Sequence, residues 1–363
     1  MNRPVHVLVA MSGGVDSSVA AALELEAGHQ VTGCTMRLWG GDSDTGCCSV
    51  ADVDDARRVA QQLGIDHFVF NFGDDFEAAV VGPYVAAHAA GHTPNPCVEC
   101  NRSLKFERLL ARAHALGFDA LATGHHARSE LVGGRWRLRR GVDRAKDQSY
   151  VLHMLGQDHL ARTRFPVGHL DKAEVRRRAA AMGLRTAAKP DSQDVCFITS
   201  TGGRASFVGA RTPLTEGRVV DLHGAEVGRV AAVELVTVGQ RRGLGLAGGG
   251  GPRYAVAVDV AGGRVTVGGL DDLGTTEVGV ASLSWVDRPV DGAVLVQTSA
   301  HGTVRPATYD GESSLVRFTE PTTRVAPGQS VVLYHGDEVL GGGLAVASCE
   351  FGSLSNPWSG SET

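Results

Sequence analysis

No stretch of this 363-residue sequence approaches the roughly 18 consecutive apolar residues of a membrane-spanning helix, so the reading leaves no membrane among its partners. The opening residues, Met1 to Ala10, are too short in apolar length for a secretory leader. Positive charge is not in surplus either: the net charge is −5, which gives no global sign of a nucleic-acid binder. Cysteines are few and odd in number, seven in all, against a secreted disulfide framework. A fixed-period repeat is also missing. These absences point to a soluble, cytoplasmic chain in which some thiols are reactive or metal-binding.

What is present is ordinary globular material. Apolar residues make up 43% and charged residues 21%, which excludes a disordered or coiled-coil chain, and the length suits two or three domains. Of 48 glycines, 19 fall in the first 200 residues and 29 in the last 163, so the second half is turn-rich. In the first half, Val5–Ala10, Val31–Met36, His67–Phe72 and Ala120–Thr123 read as strands. They alternate with helices over residues 17–26, 49–63, 74–90 and 101–116, the pattern of a parallel sheet covered on both faces. After about Ser200, short runs such as Arg218–Asp221, Val233–Val238, Tyr254–Val260 and Ser330–Tyr334 are separated by glycine turns, as in small all-β domains or barrels. Cys34 and Cys349 lie in apolar runs and read as core thiols, whereas Cys47 and Cys48 sit in a polar loop.

The most informative string is Ser12-Gly13-Gly14-Val15-Asp16-Ser17-Ser18, between a strand and a helix. Two glycines permit a tight turn and close ligand approach, and the amides that follow sit at a helix N-terminus, an anion site. The string lacks the Gly-Lys-Ser/Thr ending of a Walker loop and resembles the PP-loop of ATP pyrophosphatases. A second glycine string, Gly243 to Gly248, fits the letters of a dinucleotide fingerprint, but no strand precedes it and no helix follows, so it is rejected as a nucleotide site.

Asn95-Pro96-Cys97-Val98-Glu99-Cys100-Asn101 precedes a helix, where a thiol's pKa can be lowered. A lone Cys-x-x-Cys is open to three readings: half a zinc site, a redox pair, or a catalytic thiol with a helper. Cys196, in Asp194-Val195-Cys196-Phe197-Ile198, can join the pair only through the fold. Local charge offsets the acidic total: Arg128 to Lys146 holds seven basic residues against Glu130 and Asp143, a candidate anion-binding arm. A second cluster, Lys172 to Lys189, reads mostly as a solvated helix face.

With Ala122-Thr123-Gly124-His125, Lys146-Asp147-Gln148-Ser149-Tyr150 and Gly239-Gln240-Arg241-Arg242-Gly243 added, the order and spacing resemble the MnmA family of tRNA-specific 2-thiouridylases over about Val5 to Leu344. The resemblance implies an α/β protein: a Rossmann-like parallel sheet carrying the PP-loop over residues 1–200, a small central β domain over 201–272 and a C-terminal β-barrel over 273–363. It implies a tRNA-uridine 2-sulfurtransferase that adenylates the 2-oxygen of the wobble uridine in tRNAs for Lys, Glu and Gln, then replaces it with persulfide sulfur. ATP with Mg2+ is the co-substrate, and the partners are tRNA and a persulfide donor such as a cysteine desulfurase or sulfur-relay protein.

By the same resemblance, Cys196 carries the persulfide and Cys100 is the nucleophile, the two forming a transient disulfide. Ala10, Met11, Ser12, Gly13, Gly14, Val15, Asp16, Ser17, Met36 and Gly124 match ATP-binding positions. Asn95, Pro96 and Cys97 match target-base contacts, and His125, Lys146, Asp147, Gln148 and Gln329 match other tRNA contacts. The chain departs from the family pattern twice. Cys97 stands where some members carry Asp, so it takes a supporting role by proton exchange or joins Cys100 and Cys196 as a ligand of an iron–sulfur cluster. Ser299-Ala300 stands where members carry an Arg-Tyr pair that touches tRNA. Two other functions remain open: a PP-loop ligase or amidotransferase acting on a small metabolite, and a non-catalytic ATP- or metal-binding tRNA adaptor.

Overall fold

The computed structural model describes residues 3–38, 49–191, 195–198, 203–247 and 251–346. Cys47, Cys48 and Cys349 lie outside them.

The chain begins as read from its sequence. Strand β1 (His6–Ala10) leads through a four-residue turn into helix α1 (Val15–Glu26), then β2 (Gln30–Arg37), α2 (Val50–Leu63) and β3 (His67–Asn71). The β1 run is apolar without alternation because both faces are covered: Leu8 enters one core cluster, Val7 and Val9 the other. Ser49 caps α2 in a reciprocal capping box with Asp52, and Gly64 ends it at φ +70°. Two longer helical stretches follow, α3 over residues 73–89 and α4 over residues 96–115, with wider π-helical turns at Glu77–Val81 and Cys100–Leu109. Strand β4 is Ala120–Thr123. The hairpin β5 (Ala127–Val132) and β6 (Arg135–Arg140), the short β7 (Thr163–Arg164) and α5 (Lys172–Ala181) complete this half. The sheet order β3-β2-β1-β4-β7 is parallel throughout. The chain therefore reverses its direction of winding between β1 and β4, where such sheets form their ligand crevice at the C-terminal ends of the strands.

The second half holds two further sheets. Strands β8 (Gly217–Val220), β9 (Glu226–Val230), β10 (Tyr254–Asp259) and β11 (Arg264–Gly268) form one, in the order β10-β11-β8-β9. Val233–Leu235, expected within a strand, is instead a 3-10 turn whose Val233 is buried in that small core. Periodicity cannot separate the two when an apolar run is this short. The rejected fingerprint is packing rather than a nucleotide loop: Leu246 bridges to Gly228 of β9 and Leu244 enters the core. Strands β12 (Gly274–Trp285), β13 (Gly292–Gln297), β14 (Arg305–Asp310), β15 (Leu315–Thr323), β16 (Ser330–His335) and β17 (Glu338–Val346) close into a barrel through β12–β17 pairing.

The basic arm takes a different place from the one expected. Hairpin β5–β6 joins the barrel sheet, with Leu138 opposite Val339 and Arg139 opposite Glu338. Its arginines meet barrel carboxylates: Arg128 and Arg139 contact Asp337, Arg137 contacts Asp287 and Glu338, and Arg135 contacts Asp287. Arg140 donates to Gln297 and lies over the Tyr334 ring. The arm is thus an ion-paired seam, and its expected role as an open anion-binding surface is corrected for these residues. Counting charge along the sequence could not reveal partners some 150 to 200 positions away. Replacing Arg137 and Arg139 with alanine should lower stability by roughly 1–3 kcal/mol, the sum of a few partly buried pairs. Urea denaturation checks this, and an unchanged midpoint would contradict the seam.

Candidate active site

The turn between β1 and α1 is built for close approach. Gly13 has φ +71°, and a Cβ there would run into the Asp52 backbone at the start of α2, so no other residue fits. Opposite it, Gly124 follows β4, where a Cβ would lie 2.5 Å from the Ser17 amide nitrogen. Ser12 donates its amide to Ser17 Oγ at 3.1 Å, and Ser17 and Ser18 hydroxyls donate to the Gly14 carbonyl. The first turn of α1 thereby keeps a fixed shape. Val15, Ser17, Met11 and Met36 are buried, so these positions can serve a nucleotide mainly through their backbone, while Ser12 is exposed and Ala10 and Gly14 are half-buried.

Asp16 is the loop's acidic group and is tightly engaged. Lys172 Nζ, from the first turn of α5, donates to both its oxygens at 2.7 and 2.6 Å, and His126 Nε2 lies 3.1 Å from Oδ1. Burial alone would raise the Asp16 pKa, but the His126 and Lys172 contacts outweigh it and hold the carboxyl below its ordinary value. Lys172 also reaches Asp191 at 2.9 Å, and Asp191 accepts from Lys146 at 2.8 Å and Arg176 at 2.8 Å. Burial would raise the Asp191 pKa too, yet these cations bring it down to about 2. An ion-pair chain thus runs from Asp16 through Lys172 and Asp191 to Lys146. Sequence reading left Lys172 and His126 out of the site. Lys172 was counted in a solvated face, although its place directly after the cap Asp171 puts it at the helix start.

The other proposed tRNA positions divide into exposed and internal groups. Gln148 is exposed, but its side-chain oxygen accepts the His126 amide at 2.9 Å. The Asp147 carboxylate is turned inward, accepting from the Gly141 and Ser149 amides and the Ser149 hydroxyl. His125 is an interior residue, hydrogen-bonded to Thr123 at 2.7 Å between the rings of Phe106 and Phe165. Its burial pushes the imidazole pKa well down and keeps it neutral. Gln329 is half-buried at a barrel turn, its carbonyl accepting from the Ala345 amide.

Helix α4 begins earlier than expected, so Cys97 and Cys100 lie inside it rather than before it. Asn95 Oδ1 caps the Cys97 amide at 3.1 Å, and Pro96 takes the first helical position, where its missing N–H costs nothing. The approach is pinned from both other sheets: the Thr93 amide donates to the Pro327 carbonyl at 2.7 Å and its hydroxyl to Thr237 at 3.3 Å. Cys97 is exposed. Cys100 and Cys196 are half-buried and pack against the same core cluster, formed largely under α3 and α4. Phe197 fixes the Cys196 turn by edge contacts with Phe76 and Tyr84 at 5.5 and 5.3 Å. Cys34 is fully buried, as read, and burial raises its thiol pKa to about 12. Among the described residues no group of three or more His, Cys, Asp or Glu side chains is placed to hold a metal ion, so Cys97, Cys100 and Cys196 do not form a ready cluster site here.

A parallel sheet with a glycine turn feeding a helix at its switch point, and two cysteines on one core nearby, defines a PP-loop protein equipped for thiol chemistry. Family models agree along the chain: a tRNA methyl transferase HUP domain matches residues 5–200, a tRNA methyl transferase PRC-barrel domain 205–269, and an aminomethyltransferase beta-barrel domain 276–345. The tRNA-specific 2-thiouridylase MnmA of Chloroflexus aurantiacus is 49% identical over 93% of this chain and 97% of that protein. Those of Roseiflexus castenholzii and Mycobacteroides abscessus are each 47% identical over 93% of this chain and 98% of theirs. The chain belongs to the tRNA-specific 2-thiouridylase (MnmA) family.

Proposed function

We propose that this protein is a tRNA-uridine 2-sulfurtransferase that uses ATP with Mg2+ to activate the wobble uridine of tRNAs for Lys, Glu and Gln. The observation that carries the reading is the seating of Cys100 and Cys196 on one core cluster, beside a PP-loop sheet. A ligase for small metabolites leaves those thiols without a task.

The chemistry balances in two stages. The uridine 2-oxygen attacks the α-phosphorus of ATP, the α–β bridging bond breaks, and pyrophosphate leaves. The terminal sulfur of a Cys196 persulfide then attacks C2 and AMP departs with the original oxygen. Cys100 thiolate attacks Cys196 Sγ, breaking the S–S bond, leaving sulfur on the base and a Cys100–Cys196 disulfide that an external thiol must reduce. The persulfide comes from a cysteine desulfurase or a sulfur-relay protein in the cytoplasm. Amides of residues 12–17 and Gly124 hold the phosphates and nucleotide. Asn95 to Cys97 meet the base, and Lys146, Gln148 and Gln329 meet flanking RNA.

Cys97, exposed on the first turn of α4, supports the reaction by proton exchange. Cys97→Asp should therefore keep much of the thiolation rate while Cys97→Ala loses most of it, because a carboxylate can take the same part at neutral pH. Parallel single-turnover rates check this, and equal loss in both variants would remove the proton-exchange role. The function itself is tested by incubating the protein with ATP, a persulfide donor and unmodified tRNA. Mass spectrometry of the digested RNA should find one oxygen replaced by sulfur at the wobble uridine. Pyrophosphate release without sulfur transfer would favour the ligase reading.

A further inference from the structure

A cavity of about 180 Å³ lies between the first turns of α4 and the barrel, lined among others by Asn95, Glu99, Arg102, His153, Ser284 and Ser330. Neither Cys97 nor Cys100 lines it. On a helix, positions 95, 98, 99 and 102 share one face, while 97 and 100 point away from it. The cavity is therefore separate from the thiols, yet only one helix diameter from them.

Its walls hold polar atoms that have nothing to bond. His153 is 1% exposed, and both its ring nitrogens lack a hydrogen-bond partner. Ser330, also 1% exposed, has an unpartnered hydroxyl. Buried polar groups are rarely left so, and three such atoms around one space call for an occupant. Burial, with Arg102 nearby, pushes the His153 imidazole down to about 3, so at neutral pH it offers one N–H donor and one bare nitrogen acceptor. Arg102 is already engaged by Glu99 at 3.4 Å and by Ser284 at 3.3 Å. No spare charge is left to select an ion. The walls suit a neutral ring with adjacent donors and acceptors. A space of about 150 Å³ already accepts a six-membered ring, whereas drug-sized ligands need roughly 300 Å³ or more.

We propose that this cavity is a second base pocket, which receives an unpaired nucleobase of the RNA loop next to the uridine being modified. The assignment rests on the tRNA reading above. Its rim joins two stretches proposed to contact RNA: Asn95 on one side, and on the other Gly328 and Ser330, which flank Gln329. The base would exchange hydrogen bonds with His153 and the Ser330 hydroxyl, and anchor the loop while the neighbouring uridine reaches the thiols.

The test uses anticodon stem-loop RNAs in which each loop nucleotide beside the reactive uridine is made abasic in turn, with affinity read by fluorescence anisotropy. In the unaltered protein one abasic position should cost roughly 10-fold in affinity. The same RNA should cost little more in His153→Phe, which fills the space with an apolar ring, and about half as much on a logarithmic scale in Ser330→Ala. Ser330→Ala removes only an unpartnered hydroxyl and keeps the test valid should the larger substitution misfold. Equal abasic penalties in all three proteins would mean the cavity holds water only and would overturn the proposal. Saturation of the unaltered protein by free uridine, abolished in His153→Phe without any abasic coupling, would assign the pocket to a small nucleoside instead and also overturn it. If the unaltered protein neither binds nor thiolates the intact stem-loop, the tRNA reading itself fails. If it does both and shows no coupling, the pocket alone fails.

Discussion

Serine at position 196 should leave a protein that still binds ATP and releases pyrophosphate but puts no sulfur into RNA. A hydroxyl cannot store sulfur at the zero-valent level, so the expected loss is complete to the detection limit. The structure favours a clean result. Phe197, 4% exposed, carries the packing of this turn, and Cys196 is only half-buried beside it. Exchanging sulfur for oxygen there should change stability by less than about 1 kcal/mol. Cys100→Ser should fail at a later point, because the persulfide can still load on Cys196 but its S–S bond finds no thiolate to break it. The two variants are told apart by mass spectrometry of the protein after incubation with a persulfide donor: Cys100→Ser should carry one extra sulfur on Cys196, and Cys196→Ser none. Normal thiolation by Cys196→Ser would move the carrier to another cysteine.

How much of this was legible in the sequence depends on how far apart the deciding residues lie. Strands β1 to β4 and the end of α2 at Gly64 follow from local signals: branched apolar runs, Ser49 before a helix and a glycine after it. The glycine turn at residues 12–14 was equally plain, because its chemistry is written in consecutive letters. The ion-pair chain was not, since Asp16, Lys172 and Asp191 approach only after α5 docks beside α1. The same holds for the arm. Arg139 finds Asp337 and Glu338 across the seam only once β6 has added to β17. His153 and Ser330 read as unremarkable core positions until the barrel closes against α4 and leaves their polar atoms facing an empty space.

Asp16→Ala should lower adenylation by about 10² to 10³-fold, the usual consequence of removing one preorganised electrostatic group, while leaving ATP affinity within a few-fold. The affinity is expected to survive because the phosphate cradle is backbone: Gly13, Gly14 and the first amides of α1 do not depend on the Asp16 side chain. The fold should survive as well. Lys172 keeps Asp191 at 2.9 Å when Asp16 is gone, so no buried cation is stranded. Lys172→Met reaches the same link from its other end. It leaves Asp16 with His126 alone and frees Asp191 to Lys146 and Arg176. If Asp16 and Lys172 act as one unit, the double variant should be no slower than the slower single variant, whereas independent roles would multiply the two losses. Pyrophosphate release in the presence of tRNA, measured with all three variants at saturating ATP, decides between these outcomes. A wild-type rate in Asp16→Ala would remove this turn from the chemistry altogether.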